Sequence, residues 1–96
     1  MRFVTRLFKA LANEKRLQIL HLLIRKGPLT VGTISERLNF PIQTTSRHLN
    51  QLEKVGLVKT RQKRNWIYYQ IAKESPHIIR KTLFFVKDFY NTNVRF

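Results

Sequence analysis

Apolar positions recur at helical spacing from Phe3 to Leu52, alternate at a period of two between Leu57 and Ile71, then return to helical spacing from Ile78. Phe3, Val4, Leu7, Phe8 and Leu11 line one side of a first helix ending near residue 11. Asn13 is placed to cap the next helix and Glu14 to meet its positive end. That second helix is expected over 14–26, with Leu17, Leu20 and Ile24 in a row flanked by Ile19, Leu22 and Leu23. Gly27 and Pro28 stop it. Leu29-Thr30 reads as a short extended piece, and Thr30 caps a third helix over 31–38 with Val31, Ile34 and Leu38 facing inward. Asn39-Phe40-Pro41 is a tight turn, and Pro41 suits the start of a fourth helix because its missing N–H would be unpaired there.

Placed on that fourth helix, 42–54, the side chains separate by face. Ile42, Thr45, Leu49 and Leu52 share a narrow arc that can bury. Gln43, Arg47, Asn50 and Lys54 lie opposite, with Thr44, Ser46 and Gln51 at the shoulders and no carboxylate before Glu53. Amides, hydroxyls and a guanidinium are the groups that read base edges in a major groove: Gln and Asn on adenine, Arg on guanine, Ser and Thr on either. Taken alone, a helix of this composition better suits an ordinary amphipathic helix whose polar face only meets water. Its surroundings decide between the two. Two short helices joined by a turn, the second bearing these side chains, make a helix-turn-helix.

Beyond Gly56 the alternation places Trp66, Tyr68 and Gln70 on one face of a strand and Ile67, Tyr69 and Ile71 on the other. Residues 57–61 form the partner strand and 62–65 the tip of a two-stranded hairpin. Lys59, Arg61, Lys63 and Arg64 fall within six residues and have no carboxylate beside them. Mutually repelling cations on a ribbon next to a recognition helix fit a wing that meets phosphate better than a hairpin kept soluble by charge.

Ser75 and Pro76 open a last helix over 76–91. Ile78, Ile79, Leu83, Phe84, Phe85, Val86, Phe89 and Tyr90 cover more than half of its circumference. A helix apolar nearly all round must be covered nearly all round, and so small a domain cannot enclose a terminal helix. A second copy covering it, together with the first helix, is the economical solution.

The chain has 96 residues, enough for a single domain spanning 1–96 with a modest core. Nineteen Lys and Arg against five Asp and Glu give a formal charge of +14, and the sequence pI near 11.3 makes a polyanion the default partner. Cysteine is absent, which excludes disulfides and thiolate metal sites. No apolar run reaches the roughly 18 residues that span a bilayer, and the first eight residues lack a signal peptide's apolar core and cleavage site. A cytoplasmic protein with no membrane partner is expected. An enzyme lacks parts here: Glu14, Glu36, Glu53, Glu74 and Asp88 form no pair, and Ser46 and His48 point apart on their helix. His21, His48 and His77 are too scattered for a ligand set, so no metal and no cofactor are expected.

The segment Phe8-Lys9-Ala10-Leu11-Ala12-Asn13-Glu14-Lys15-Arg16-Leu17-Gln18-Ile19-Leu20 resembles the opening signature of the ArsR/SmtB family of winged helix-turn-helix repressors. So do Leu29-Thr30-Val31-Gly32, the run from Thr45 to Val58, and the strand Trp66-Ile67-Tyr68-Tyr69-Gln70-Ile71. The resemblance covers most of the chain, roughly residues 3 to 72, in the expected order. It implies an α+β, mainly α fold: about five helices and a two-stranded hairpin wing, dimeric through the first and last helices. Phe3, Leu7, Leu83, Phe85 and Phe89 are then expected at the dimer interface. The resemblance implies recognition helices in successive major grooves of a palindrome-like operator on double-stranded DNA. By position, Gln43, Thr44, Ser46 and Arg47 would read bases, beside the Asn50 of the helix's polar arc, with His48 available to backbone phosphate. Arg61, Lys63 and Arg64 would hold the wing on the backbone.

Three departures matter. Many relatives sense metals through Cys-x-Cys on the helix before the turn, where this chain has Val31-Gly32-Thr33-Ile34-Ser35. Others use Asp, His and Glu on the last helix, where His77 and Asp88 lie about three turns, or 16 Å, apart. The usual wing-tip glycine is replaced by Arg64, which leaves Asn65 as the residue expected in the left-handed position. The reading is therefore a metal-independent, homodimeric, sequence-specific transcription regulator, most simply a repressor, with the effector unassigned. A sequence-tolerant, chromatin-like or RNA-binding winged helix is the alternative, because binding driven by charge alone is indifferent to sequence.

Overall fold

A computed structural model describes residues 2–72 and 77–93, with the side chains of Ile78 and of residues 89–93 outside the description. The expected capping by Ser75 and Pro76 and the interface role of Phe89 therefore lie outside the described residues. The elements follow the order α1 (Arg2–Leu11), α2 (Glu14–Lys26), β1 (Leu29–Thr30), α3 (Val31–Leu38), α4 (Ile42–Lys54), β2 (Val58–Lys63), β3 (Trp66–Ile71) and α5 (His77–Asn93).

Local chemistry sets the boundaries. Asn13 is extended, and its side-chain oxygen accepts from the Arg16 N–H at 3.1 Å, satisfying one orphan donor at the start of α2. Thr30 caps α3 in the same way, accepting from the Thr33 N–H at 3.3 Å. At the end of α4 the Leu57 N–H donates to the Leu52 carbonyl and the Gly56 N–H to that of Glu53, both at 3.0 Å. This is a Schellman closure, and it requires the positive φ of 82° that Gly56 adopts.

The core runs through every helix. Leu7 of α1, Ile19, Leu20 and Leu23 of α2, Ile34 of α3, Leu49 and Leu52 of α4, and Ile79 of α5 are all buried, joined by Leu57 and Val58 where α4 passes into β2. The sheet is three-stranded and antiparallel in the order β1-β3-β2. The expected two-stranded wing is thus enlarged: Leu29 pairs with Tyr69 and Thr30 with Tyr68, so the short extended piece seals the inner edge of β3. The hairpin is also longer on its first side, because β2 runs on to Lys63 opposite Trp66 and leaves Arg64-Asn65 as a two-residue tip. The positive φ at that tip, 59°, belongs to Arg64 and not to Asn65.

Two residues expected between subunits are instead inside one. Leu7 and Leu83 belong to the buried core of the chain itself, because α1 and α5 each turn one side toward α2. Their other sides stay open. Phe3, Val4, Phe8, Phe84 and Phe85 are exposed, the last two at 70% and 68%.

Candidate nucleic-acid interface

The geometry of α3, its turn and α4 is set by a few backbone contacts. Asn39 takes a left-handed conformation (φ 59°, ψ 44°), and the N–H groups of Asn39 and Phe40 both reach the Ser35 carbonyl, the second at 3.0 Å. Asparagine tolerates this region better than most residues, so α3 can end without a glycine. Pro41 then runs extended (φ −58°, ψ 144°) into α4 with no side-chain cap. Its carbonyl accepts both the Thr45 N–H at 3.0 Å and the Thr45 hydroxyl at 3.1 Å, so the buried Thr45 is satisfied.

With Thr45, Leu49 and Leu52 buried, the opposite side of α4 is fixed outward: Gln43, Arg47, Asn50, Gln51 and Lys54 are exposed, and Thr44 and Ser46 are half-buried at the margins. Ile42, expected on the buried arc, is 54% exposed. It stands in the first turn of α4, where the helix has packing neighbours on one side only.

His48 corrects the expectation that it is available to phosphate. It is only 9% exposed, and its Nδ1 lies 3.2 Å from a guanidinium nitrogen of Arg16. A guanidinium can only donate, so Nδ1 must accept and the ring proton sits on Nε2. Burial, then the charges of Arg16, Arg47 and Lys15, hold this imidazole below its ordinary pKa, in keeping with a neutral ring. The same Arg16 donates through Nε to the Ala10 carbonyl at 2.7 Å and through Nη2 to that of Lys9 at 3.3 Å. One side chain thus ties the end of α1 to α4. Nothing in the spacing of Arg16 announces this role.

Cations flank α4 on two sides. In the wing, Lys59, Arg61 and Lys63 share one face of β2 opposite Gln70, Tyr68 and Trp66, and Arg64 stands at the tip. Residues 57–72 contain no carboxylate. A second basic ledge, not anticipated from the sequence, borders the C-terminal end of α4, where Arg6, Lys9, Arg16 and Lys54 line one groove with Gln51. A helical wheel shows Arg6 and Lys9 only as solvated residues of α1; their approach to α4 is a tertiary result. Among the described residues, no group of three His, Asp or Glu side chains is arranged to hold a metal ion, and no helix is long and apolar enough to cross a membrane.

A helix-turn-helix carried on a helical core, followed at once by a basic hairpin, defines a winged helix-turn-helix protein. Residues 11–61 match the helix-turn-helix domain family. The chain belongs to that family and, within it, to the regulators of the ArsR/SmtB type. It is 41% identical over 68 residues to an HTH-type transcriptional regulator of Methanocaldococcus jannaschii, covering 71% of this chain and 76% of the relative. Its identity to the arsenic resistance transcriptional regulator ArsR1 of Pseudomonas putida is 36%, over 72% of this chain but 54% of that one. The chain therefore spans little more than half the length of some of the curated relatives it matches. The homodimeric winged helix-turn-helix DNA-binding domain from Mycobacterium bovis superposes with a TM-score of 0.80 at 33% identity, covering 98% of this chain and 83% of that domain. HlyU from Vibrio cholerae gives a TM-score of 0.78 at 33% identity, with 95% of each chain covered.

Proposed function

We propose that this chain is a homodimeric, sequence-specific DNA-binding regulator of transcription in the cytoplasm, acting by occupying a palindrome-like operator. The reading rests on one observation above others. Gln43, Arg47 and Asn50 stand exposed on one side of a helix whose opposite side is locked into the core. A binder of phosphate alone would gain more from Lys and Arg at those positions. Mixed amides and a guanidinium instead carry base discrimination, with Arg47 on guanine and Gln43 or Asn50 on adenine. Thr44 and Ser46 supply shorter hydroxyl contacts, and the exposed Ile42 offers an apolar surface to a thymine methyl group.

The wing residues Arg61, Lys63 and Arg64 and the ledge of Arg6, Lys9 and Lys54 serve the phosphates on either side of the groove. Homodimerisation through α1 and α5 would set two recognition helices about one helical turn of DNA apart. The homodimeric mycobacterial domain supports this arrangement, as does the exposed aromatic cluster of Phe3, Phe8 and Phe85. Relatives carry names of both signs, the arsenical resistance operon repressor of Escherichia coli and the transcriptional activator HlyU of Vibrio cholerae. Repression is the simpler mode, since occupying a promoter is enough to block transcription.

The test is selection of bound duplexes from a random pool. The expected product is a consensus of two related half-sites about 10 base pairs apart, centre to centre. Enrichment without a consensus would sink sequence-specific readout and leave a charge-driven binder of any duplex.

A further inference from the structure

The far end of the wing carries two large apolar side chains that belong neither to the core nor to the apolar flank between α1 and α5. Trp66 is 62% exposed and Ile67 52%, on opposite faces at the start of β3. We propose that Trp66 is a specificity-determining DNA contact outside α4: its indole enters the minor groove beside each half-site and opens a base step there. The proposal rests on the regulator reading for its operator.

Charge selects the occupant of this tip. Trp66 stands directly opposite Lys63, and Arg64 follows in the turn. With no carboxylate in residues 57–72, this end of the wing attracts a polyanion and repels a second copy of so basic a chain. The indole itself offers one N–H and no charge, so at a phosphate it would be inferior to Lys or Arg. Its flat face gains instead by stacking on a base. Among the described residues no cation lies over the ring, so Lys63 has not already taken that face.

Dimensions select the groove. Beyond the end of α4, β2 extends over six residues, Val58–Lys63, or about 17 Å. A turn of B-DNA measures about 34 Å, so this reach is the half turn between a major groove and the next minor groove. Two paired strands lie about 4.8 Å apart between backbones alone. With side chains added, the ribbon is too broad for a minor groove about 6 Å wide, whereas one side chain at its tip is not. The exposed Ile67 would then pack on the groove wall. Apolar side chains inserted in this way unstack a base step and bend the duplex. The cost is lowest at flexible steps such as TA and CA, so the wing would add a preference in flanks that α4 does not touch.

Trp66 is the one tryptophan of the chain, so intrinsic fluorescence reads this position alone. The experiment titrates the intact protein with the selected operator duplex, while the anisotropy of a dye on the duplex reports binding independently. The emission should lose most of its intensity as the complex forms, and acrylamide should quench what remains far less. A 2-aminopurine at the flanking step should brighten with the parent protein and stay dark with Trp66→Ala. That variant should bind the operator about tenfold more weakly, with an unaltered salt slope because no phosphate contact is lost. Trp66→Phe should recover most of the affinity. Selection with Trp66→Ala should retain the half-sites and lose the flanking TA or CA preference.

A complete complex with unchanged emission and acrylamide access would overturn the proposal, as would a Trp66→Ala protein that binds as tightly as the parent. Emission that shifts with protein concentration in the absence of DNA would also overturn it, by seating a second copy on the tip. If selection yields no consensus, the regulator reading fails, and quenching on an unselected duplex still decides whether Trp66 enters DNA.

Discussion

Arg16 donates to three acceptors and Arg47 to none among the described residues, and that contrast separates structure from function at the scale of single residues. Arg16→Ala removes the bonds to Ala10, Lys9 and His48 together. Side-chain bonds from a charged donor contribute about 1.5–3 kcal/mol each before exposure is discounted. A total loss of about 2 kcal/mol is expected in urea denaturation. Arg47→Ala should leave stability within about 0.5 kcal/mol, as surface substitutions do. It should cost about 1–3 kcal/mol at the selected operator and relax the preference at the base it reads. Equal losses on cognate and random duplex would remove Arg47 from base readout. His48 adds a pH dependence. Its folded pKa lies below the ordinary 6.5, so the unfolded chain takes up its proton first as pH falls. Stability from this site is complete above about pH 6.5 and declines as pH drops through the lowered folded value. His21 is shifted the same way, by burial and then Arg25. The urea midpoint should therefore fall between about pH 7 and pH 5, and fall less in His48→Gln; an equal fall in both would acquit His48.

At the scale of elements, the caps and stops were readable because they act over three or four residues. Asn13, Thr30, Gly27 and Gly56 stand where their chemistry demands. The wing was readable as a hairpin but not in its details. Its third strand comes from Leu29-Thr30, a pairing across nearly forty residues that no local pattern encodes. Its tip places Arg64 at a φ of 59°, where an L residue pays about 1–2 kcal/mol in strain. Arg64→Gly should relieve that strain and lose some backbone entropy, raising stability by up to about 1 kcal/mol in thermal unfolding. The same change removes a cation from the wing. Lys63→Ala should weaken cognate and random duplexes alike and reduce the slope of log affinity against log salt by about one. An unaltered slope would take the wing off the phosphates.

For the molecule as a whole, +14 of formal charge and an open apolar flank call for different partners. A groove lined by Phe8, Leu11 and Leu17 on one side and by Phe85 and Val86 on the other runs between α1 and α5. A second copy set there would cover the aromatic residues left exposed in one chain. Phe85→Glu should give monomers in analytical ultracentrifugation and lose most operator affinity, while the core around Leu83 and Val86 keeps it folded. A dimeric Phe85→Glu protein would move the interface elsewhere. Leu83→Glu would be the wrong test, since Leu83 is in the core of its own chain and the variant would unfold.

The periodicity, the capping residues and the charge of this chain determine by themselves five helices in order, a helix-turn-helix, a basic hairpin and the need for a polyanion. Each follows from interactions within a turn or two of chain, or from composition. Only the folded structure decides which half of each amphipathic surface is taken by the chain and which is left over. It turns Leu7, Leu83 and His48 inward, leaves Ile42 outward, and brings Arg6 and Lys9 beside α4. The reason is that a helical wheel gives the direction of a side chain but not the neighbour it meets. That neighbour is supplied by elements tens of residues away, whose approach is settled by packing the whole core at once.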